Sequence, residues 1–473
     1  MRHTIFLTGA TGHMGSETLK QLLEKPERFF VKILVMPTEK DKKVVRACKD
    51  YDNVEIIYGD LTNYIDVEQG VKGADYVLHV GGMVSPVADY MPEKTMEVNV
   101  GGVKNIIKAI KAQPEPDNTR LVYIGTVAQT GDRRMPLHWG RTGDPIKVSK
   151  FDYYAVSKCR AELAVIESGL KHWVSLRQTG MLHPDLFKTS DPIMFHVPIN
   201  EVLEWSSDVD SGRLLVNLCS SDPDEHFWRH IYNIGGGEDY RVTNWEFLKI
   251  SFAVMGINDF TKYTDSRWFC TRNFHGQWFS DSDKLEDLFH FRSASLHEYV
   301  EQCKKQAPWY TSLVKIMPAK LVKTFYFERL AYKELGPMHW IKTNNQERIK
   351  AAFGSKEKWQ KLSEWENFEL QKPSKKPITL NHGYDESKPA HELNIEDMRQ
   401  AAEFRGGKCL SPSMEKGDLT TPLEWENCLK KRFKLSPRAV LLGGYFCPQN
   451  MPEPWEYEQE TAHNKFLAQV CQP

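Results

Sequence analysis

The sequence has no CxxC pair and no clustered, even set of cysteines. Its nine cysteines are scattered at positions 48, 159, 219, 270, 303, 409, 428, 447 and 471. An odd, dispersed set argues against a disulfide framework and fits a reducing compartment. No run approaches the roughly 18 apolar residues that a membrane-spanning helix needs. Ile5-Phe6-Leu7, behind Arg2 and His3, is too short for a signal-peptide core. A cytoplasmic protein with no stable membrane insertion is therefore expected. An excess of one charge is lacking too. The 62 basic and 63 acidic residues leave a formal net charge of −1 over 473 residues. That disfavours nucleic acid as a partner, and any affinity for phosphate must come from a local site.

What is present is alternation. Short apolar runs at Thr4–Leu7, Val31–Val35, Val54–Tyr58, Tyr76–Val80 and Leu121–Ile124 read as strands. Helix-length segments separate them, among them 13–24 and 94–112. A helix over 154–168 and strands at Trp173–Leu176 and Ile231–Ile234 continue the series. Strands spaced this way predict βαβ units, an α/β fold and a parallel sheet. From about residue 180 the pattern loosens and Trp, His, Phe and Met become frequent, as in a substrate lobe. The expected division is a nucleotide-binding domain with its substrate lobe over 1–308, a helical extension over 309–370, a linker over 371–391 with three prolines, and a small C-terminal unit over 392–473.

Two groups of residues carry chemistry. The first is Thr8-Gly9-Ala10-Thr11-Gly12-His13-Met14-Gly15, between the first strand and the first helix. Glycines at 9, 12 and 15 permit a tight turn and close approach of a pyrophosphate to helix amides. Asp60 and Leu61 after the third strand, Val80-Gly81-Gly82 after the fourth, and Asn99 on the next helix complete a candidate dinucleotide site. The second strand ends in Met36-Pro37-Thr38, with no acid to hold ribose hydroxyls, and Lys40, Lys42 and Lys43 follow. That favours NADP(H) over NAD(H), with Lys40 or Lys42 on the 2′-phosphate. The second group is Tyr154-Ala155-Val156-Ser157-Lys158. Residues four apart share a helix face. An ammonium beside a phenol stabilises phenolate and readies it for proton transfer. Thr126, after the fifth strand, is placed to polarise a substrate oxygen.

Taken in order, TGATGHMG, GDLT, NVGG, the Thr126 segment and YAVSK resemble the extended short-chain dehydrogenase/reductase family, which includes NAD-dependent epimerases and dehydratases. The resemblance covers about residues 1–300. It implies a Rossmann-type, doubly wound sheet with a smaller mixed substrate lobe. It also implies Thr126, Tyr154 and Lys158 as the catalytic triad, with Lys158 also on the nicotinamide ribose. Val127 and Ala128 stand where dehydratases of this family carry an acidic pair, which disfavours dehydration. The expected activity is hydride transfer between NADP(H) and an apolar or aromatic ketone, aldehyde or alcohol, a small molecule. A sugar-nucleotide epimerase and a non-catalytic NADP sensor are the alternatives. Met83, Gln129, His183 and Trp278 are candidate substrate contacts. Arg177, Arg241 and Arg272 are candidates for holding an acidic group.

Residues 405–455 resemble a small treble-clef zinc module. Cys409, Cys428 and Cys447 match its cysteines, but Arg432 and Asn450 replace two ligands. Structural zinc needs four ligands, so a metal-free relic is expected. It would pack on the substrate mouth or mediate self-association as a homodimer.

Overall fold

The computed structural model describes residues 2–188, 191–306, 317–447 and 457–471. Its centre is a sheet of seven strands: β1 (His3–Thr8), β2 (Phe29–Val35), β3 (Val54–Tyr58), β4 (Tyr76–His79), β5 (Arg120–Thr126), β6 (Trp173–Gln178) and β7 (His230–Ile234). Their spatial order is β7-β6-β5-β4-β1-β2-β3, and every pairing is parallel. The strands are near-continuous apolar runs because both faces are covered. The chain runs outward from β1 in one direction through β2 and β3, then returns to the other side at β4. That reversal makes the sheet doubly wound and Rossmann-type, and opens a crevice beyond the carboxyl ends of β1 and β4.

Helices α1 (His13–Leu23), α2 (Glu39–Val44), α3 (Tyr64–Val71), α4 (Gly102–Lys111), α5 (Tyr153–Ile166) and α6 (Asp208–Ser221) flank the sheet. One face packs Ile5, Leu7, Leu22, Leu78, Leu214 and Leu218. The helix expected over 94–112 is not regular. A π-helical turn at Glu97–Gly101 precedes α4, and it carries Asn99, whose side chain is fully engaged in the site below.

The other face packs Phe6, Val77, Ile106 and Tyr123, and this core runs on without a break into Trp425, Leu435, Val440 and Tyr445. The C-terminal residues thus form part of the main body. They comprise α7 (Ile395–Phe404) and an antiparallel sheet of β8 (Lys408–Cys409), β9 (Leu423–Glu426) and β10 (Arg432–Leu435). Among the described residues no His, Cys, Asp and Glu gather as a metal-binding group; Asn450 lies outside those residues. The proline-bearing stretch 371–391 has almost no regular structure, yet it is tethered. His382 is buried between Asp144 at 3.0 Å and Glu386 at 2.9 Å. The helical extension shares a core with the substrate lobe through Phe195, Phe252, Phe327 and Trp340. Among the described residues no helix is long and apolar enough to cross a membrane.

Candidate active site

The glycine loop sits in the crevice at the end of β1. Gly9 has φ +76°, and a Cβ there would meet the Gly81 amide nitrogen at 2.6 Å. A Cβ on Gly15 would strike the Gly9 carbonyl. The loop, the helix and the end of β4 are thus packed backbone to backbone, which only glycine allows. Gly12 is the N-cap of α1 and no side chain caps it. The helix therefore presents unpaired amides, the arrangement that binds an anion. Thr11, Gly12 and His13 line its open side, while Met14 is buried beneath.

Buried side chains fix the neighbouring segments. The Thr8 hydroxyl accepts from the Gly81 amide at 3.0 Å and lies 2.8 Å from Nδ1 of His79. Burial and the nearby Lys158 charge push His79 down to about 3, so the ring is neutral. The Asn99 amide donates to the Met83 carbonyl at 2.9 Å and to the Ser157 hydroxyl at 2.8 Å, and its oxygen accepts from the Met83 amide at 2.7 Å. Asn99 and Met83 thus brace the end of β4 against α5. Asp60 accepts from the amide and hydroxyl of Thr62, a local cap for its own turn. Leu61 packs beside Gly81 and Gly102. Val80 and Gly82 flank Gly81 at the crevice. Met36 is exposed at the tip of β2, Lys42 pairs with Glu39, and Lys40 is exposed.

Thr126 ends β5 and caps the turn after it. Its hydroxyl takes the Ala128 amide, and the Gln129 side chain accepts from the Thr126 amide at 2.8 Å. Asp152 caps α5 through the Ala155 amide at 2.8 Å, which sets the first turn carrying Tyr154. The Thr126 side chain lies close enough to the Tyr154 phenol to act on it. Thr126, Tyr154 and Lys158 thus lie near one another at the end of β5, but the charge relation differs from the expected one. Burial raises Tyr154 to about 12, with the Thr126 side chain opposing. Burial lowers Lys158 to about 7, against the pull of Glu162. The Lys158 amine donates to the Ile124 carbonyl and lies 4.5 Å from the Tyr123 ring centroid. Its position follows the strand carbonyl rather than the phenol.

Behind the triad lies a buried network with no counterpart in the sequence reading. Glu162, one helical turn beyond Lys158, pairs with Arg177 at 2.7 Å. Glu162 also accepts from Gln129 at 2.8 Å and from the Tyr445 hydroxyl at 2.7 Å. Gln129 is thus no substrate contact. It is wholly buried and both ends of its amide are spent on Thr126, Glu162 and Tyr445. Arg177 belongs to this network and Arg241 pairs with buried Glu204 at 2.8 Å, so neither is free for an acidic ligand.

The substrate lobe encloses a cavity of about 260 Å³, starting at Gly180 just past β6. Met194, Trp205 and Phe274 of the aromatic-rich region line it. Trp278 does not; it packs edge-on against Trp139 with centroids 5.5 Å apart. His183 lies elsewhere as well. Its ring stacks on His13 at 3.5 Å, beside the anion cradle, where burial and His13 push it down to about 4.

Comparison with known proteins places these features. The NAD dependent epimerase/dehydratase family matches residues 5–179, ending one residue before the cavity begins. UDP-glucose 4-epimerase of Rickettsia bellii (strain RML369-C) is 26% identical over 109 residues, 22% of this chain and 32% of that protein. Human 3 beta-hydroxysteroid dehydrogenase type 7 is 27% identical over 164 residues, 34% of this chain and 43% of that protein. The chain thus spans only 32% and 43% of the length of these two curated relatives. Among solved structures, dTDP-glucose 4,6-dehydratase of Bacillus anthracis str. Ames in complex with NAD superposes with a TM-score of 0.51 at 16% identity, covering 66% of this chain and 97% of that one. DesIV, a dTDP-glucose 4,6-dehydratase of Streptomyces venezuelae, gives 0.51 at 18% identity, with 65% and 97% covered. These likenesses show the fold.

Proposed function

We propose that this chain is an NADP(H)-dependent oxidoreductase that interconverts a carbonyl and an alcohol on an apolar small molecule. The observation that carries this reading is Thr126 at the carboxyl edge of a Rossmann sheet with the Tyr154–Lys158 helix set against it, the Lys158 amine on the Ile124 carbonyl, and an apolar cavity in the lobe that begins past β6. The residues fit a dinucleotide. The uncapped start of α1 and the glycine contacts that exclude any Cβ leave a cradle for its pyrophosphate. Lys158 would hold the nicotinamide ribose. Lys40, exposed and with no acid at the tip of β2 to compete, would meet a 2′-phosphate.

When bound, the nicotinamide supplies or accepts the hydride. Thr126 orients the substrate oxygen. Tyr154 gives its phenolic proton to that oxygen during reduction and recovers it during oxidation. At a resting value near 12 the phenol is protonated at neutral pH, the form reduction requires. A lysine whose amine stays close to neutrality can release the Ile124 carbonyl and turn to a ribose hydroxyl at little cost.

The decisive experiment follows NADPH and NADH consumption over a panel of apolar ketones and alcohols. Net redox turnover is expected, faster with NADPH. Tyr154→Phe should lose at least about 100-fold in kcat, the usual contribution of a general acid, while still binding NADPH. Lys40→Glu should raise the KM for NADPH and leave that for NADH unchanged. Retained turnover in Tyr154→Phe would refute the reading. Tightly held NAD with no net redox change would favour the sugar-nucleotide epimerase instead.

A further inference from the structure

The wall of the 260 Å³ cavity is almost wholly apolar, with Leu203, Trp205, Phe247, Leu248, Phe252 and Phe327 prominent. Among its lining residues is one buried carboxyl group whose purpose the fold does not explain. Glu201 is 5% exposed, and neither of its carboxyl oxygens makes a hydrogen bond of good geometry among the described residues, the Val202 amide exerting only a minor pull. The other polar groups on the wall include two with structural duties. Asp191 accepts from the Ile193 amide at 2.9 Å, and Asn244 donates to the Val197 carbonyl at 3.0 Å.

The Glu201 backbone is pinned. Its amide donates to Pro198 at 3.0 Å and its carbonyl accepts from the Asn244 amide at 2.8 Å. Room for its side chain comes from Gly276, where a Cβ would meet Glu201 Cγ at 2.9 Å and Oε1 at 3.3 Å. A carboxyl group held in place and left unpaired in an apolar wall is costly unless something else supplies its partner. Burial, together with the neighbouring Asp132 charge, raises Glu201 well above the usual carboxyl range, which favours its neutral form. In that form it both donates and accepts. Among the described residues no lysine or arginine lines the cavity, while Asp191 and Glu201 do. An apolar lining of this kind gives an anion little to offset the loss of its hydration. Neither Thr126 nor Tyr154 is among the lining residues, so Glu201 meets a different part of the ligand from the reacting carbonyl.

We infer that Glu201 is a specificity-determining residue, holding one hydroxyl or ketone of an otherwise apolar, uncharged substrate at a point separate from the reacting carbon. This rests on reading the cavity as the substrate end of the active site. Sites built to hydrogen-bond a substrate group discriminate sharply against analogues without it, because the site's own polar group is then left unpaired.

The test needs no turnover, so its failure is separable from failure of the redox reading. Binding of 1-decanol, decanoate and decylamine to the full-length chain is measured by calorimetry. The wild type should bind 1-decanol and hold decanoate at least tenfold more weakly. Glu201→Gln keeps a donor and an acceptor, and should bind 1-decanol within threefold of wild type. Glu201→Leu should lose at least tenfold, while its ligand-free melting temperature rises because an unpaired carboxyl has been removed. Undiminished 1-decanol binding in Glu201→Leu would overturn the inference, as would no 1-decanol binding to the wild type. A preference for decylamine that Glu201→Gln abolishes would overturn it too, by making the site a cation site.

Discussion

Lys158 buries its amine against the Ile124 carbonyl, with no carboxylate in hydrogen-bond contact among the described residues, and that burial lowers its pKa. The folded value near 7 lies far below the ordinary lysine value of 10.5. Between those two values the unfolded chain still holds the proton while the folded chain has released it. The unfolded state then binds more protons, so stability rises with pH through that window and is flat below it. Lys158→Met keeps the bulk and removes the titration. Urea melts from pH 6 to 10 should show wild-type stability climbing relative to the variant above pH 7, by up to ~4 kcal/mol at the top of the window. Curves that stay parallel would mean that the amine is solvated and charged throughout. The same desolvation leaves the site ready for a polar ligand, since a ribose hydroxyl offers the lysine what burial has withheld.

At the scale of elements, the parts legible in the sequence are those whose signal is local. Thr4–Leu7 followed by three spaced glycines gave both β1 and its turn, because strand, turn and helix start all lie within 15 residues. The Tyr154–Lys158 spacing likewise carried its own helix. The π turn at Glu97–Gly101 had no such signal. It exists because Asn99 reaches across to Met83 and Ser157, and those partners are brought near only by the sheet. Asn99→Ala would leave the Met83 amide and carbonyl unpaired. The expected cost is about 1–3 kcal/mol in stability, and NADPH affinity should fall because the end of β4 loosens beside Gly81. A variant with unchanged melting and unchanged NADPH affinity would show that the brace is dispensable. Glu201 was hidden for a related reason. It lies in an irregular loop, and its isolation is set by Gly276 and Asn244, far along the chain.

At the scale of the whole molecule, distant parts of the chain meet behind the Thr126 turn. Tyr445 is 316 residues from Gln129, and no periodicity could pair them. A reading that treats 392–473 as an appendage cannot foresee that Tyr445 completes the shell around Glu162. The consequence is mechanical. Gln129 holds the Thr126 amide with one end of its side chain and the Tyr445–Glu162 pair with the other, so the C-terminal residues help set where the Thr126 hydroxyl lies. Tyr445→Phe keeps the ring in the core and deletes the hydroxyl, leaving Glu162 short of a donor and Gln129 of an acceptor. Stability should drop by about 1–3 kcal/mol. If Thr126 shifts with Gln129, kcat should fall between tenfold and ~100-fold, while KM and NADPH affinity hold, since neither the anion cradle nor the cavity wall is touched. A loss of stability with kcat intact would reduce Tyr445 to a packing residue. A parallel loss of NADPH binding would mean that the strain travels along α5 to Lys158 rather than through Gln129 to Thr126.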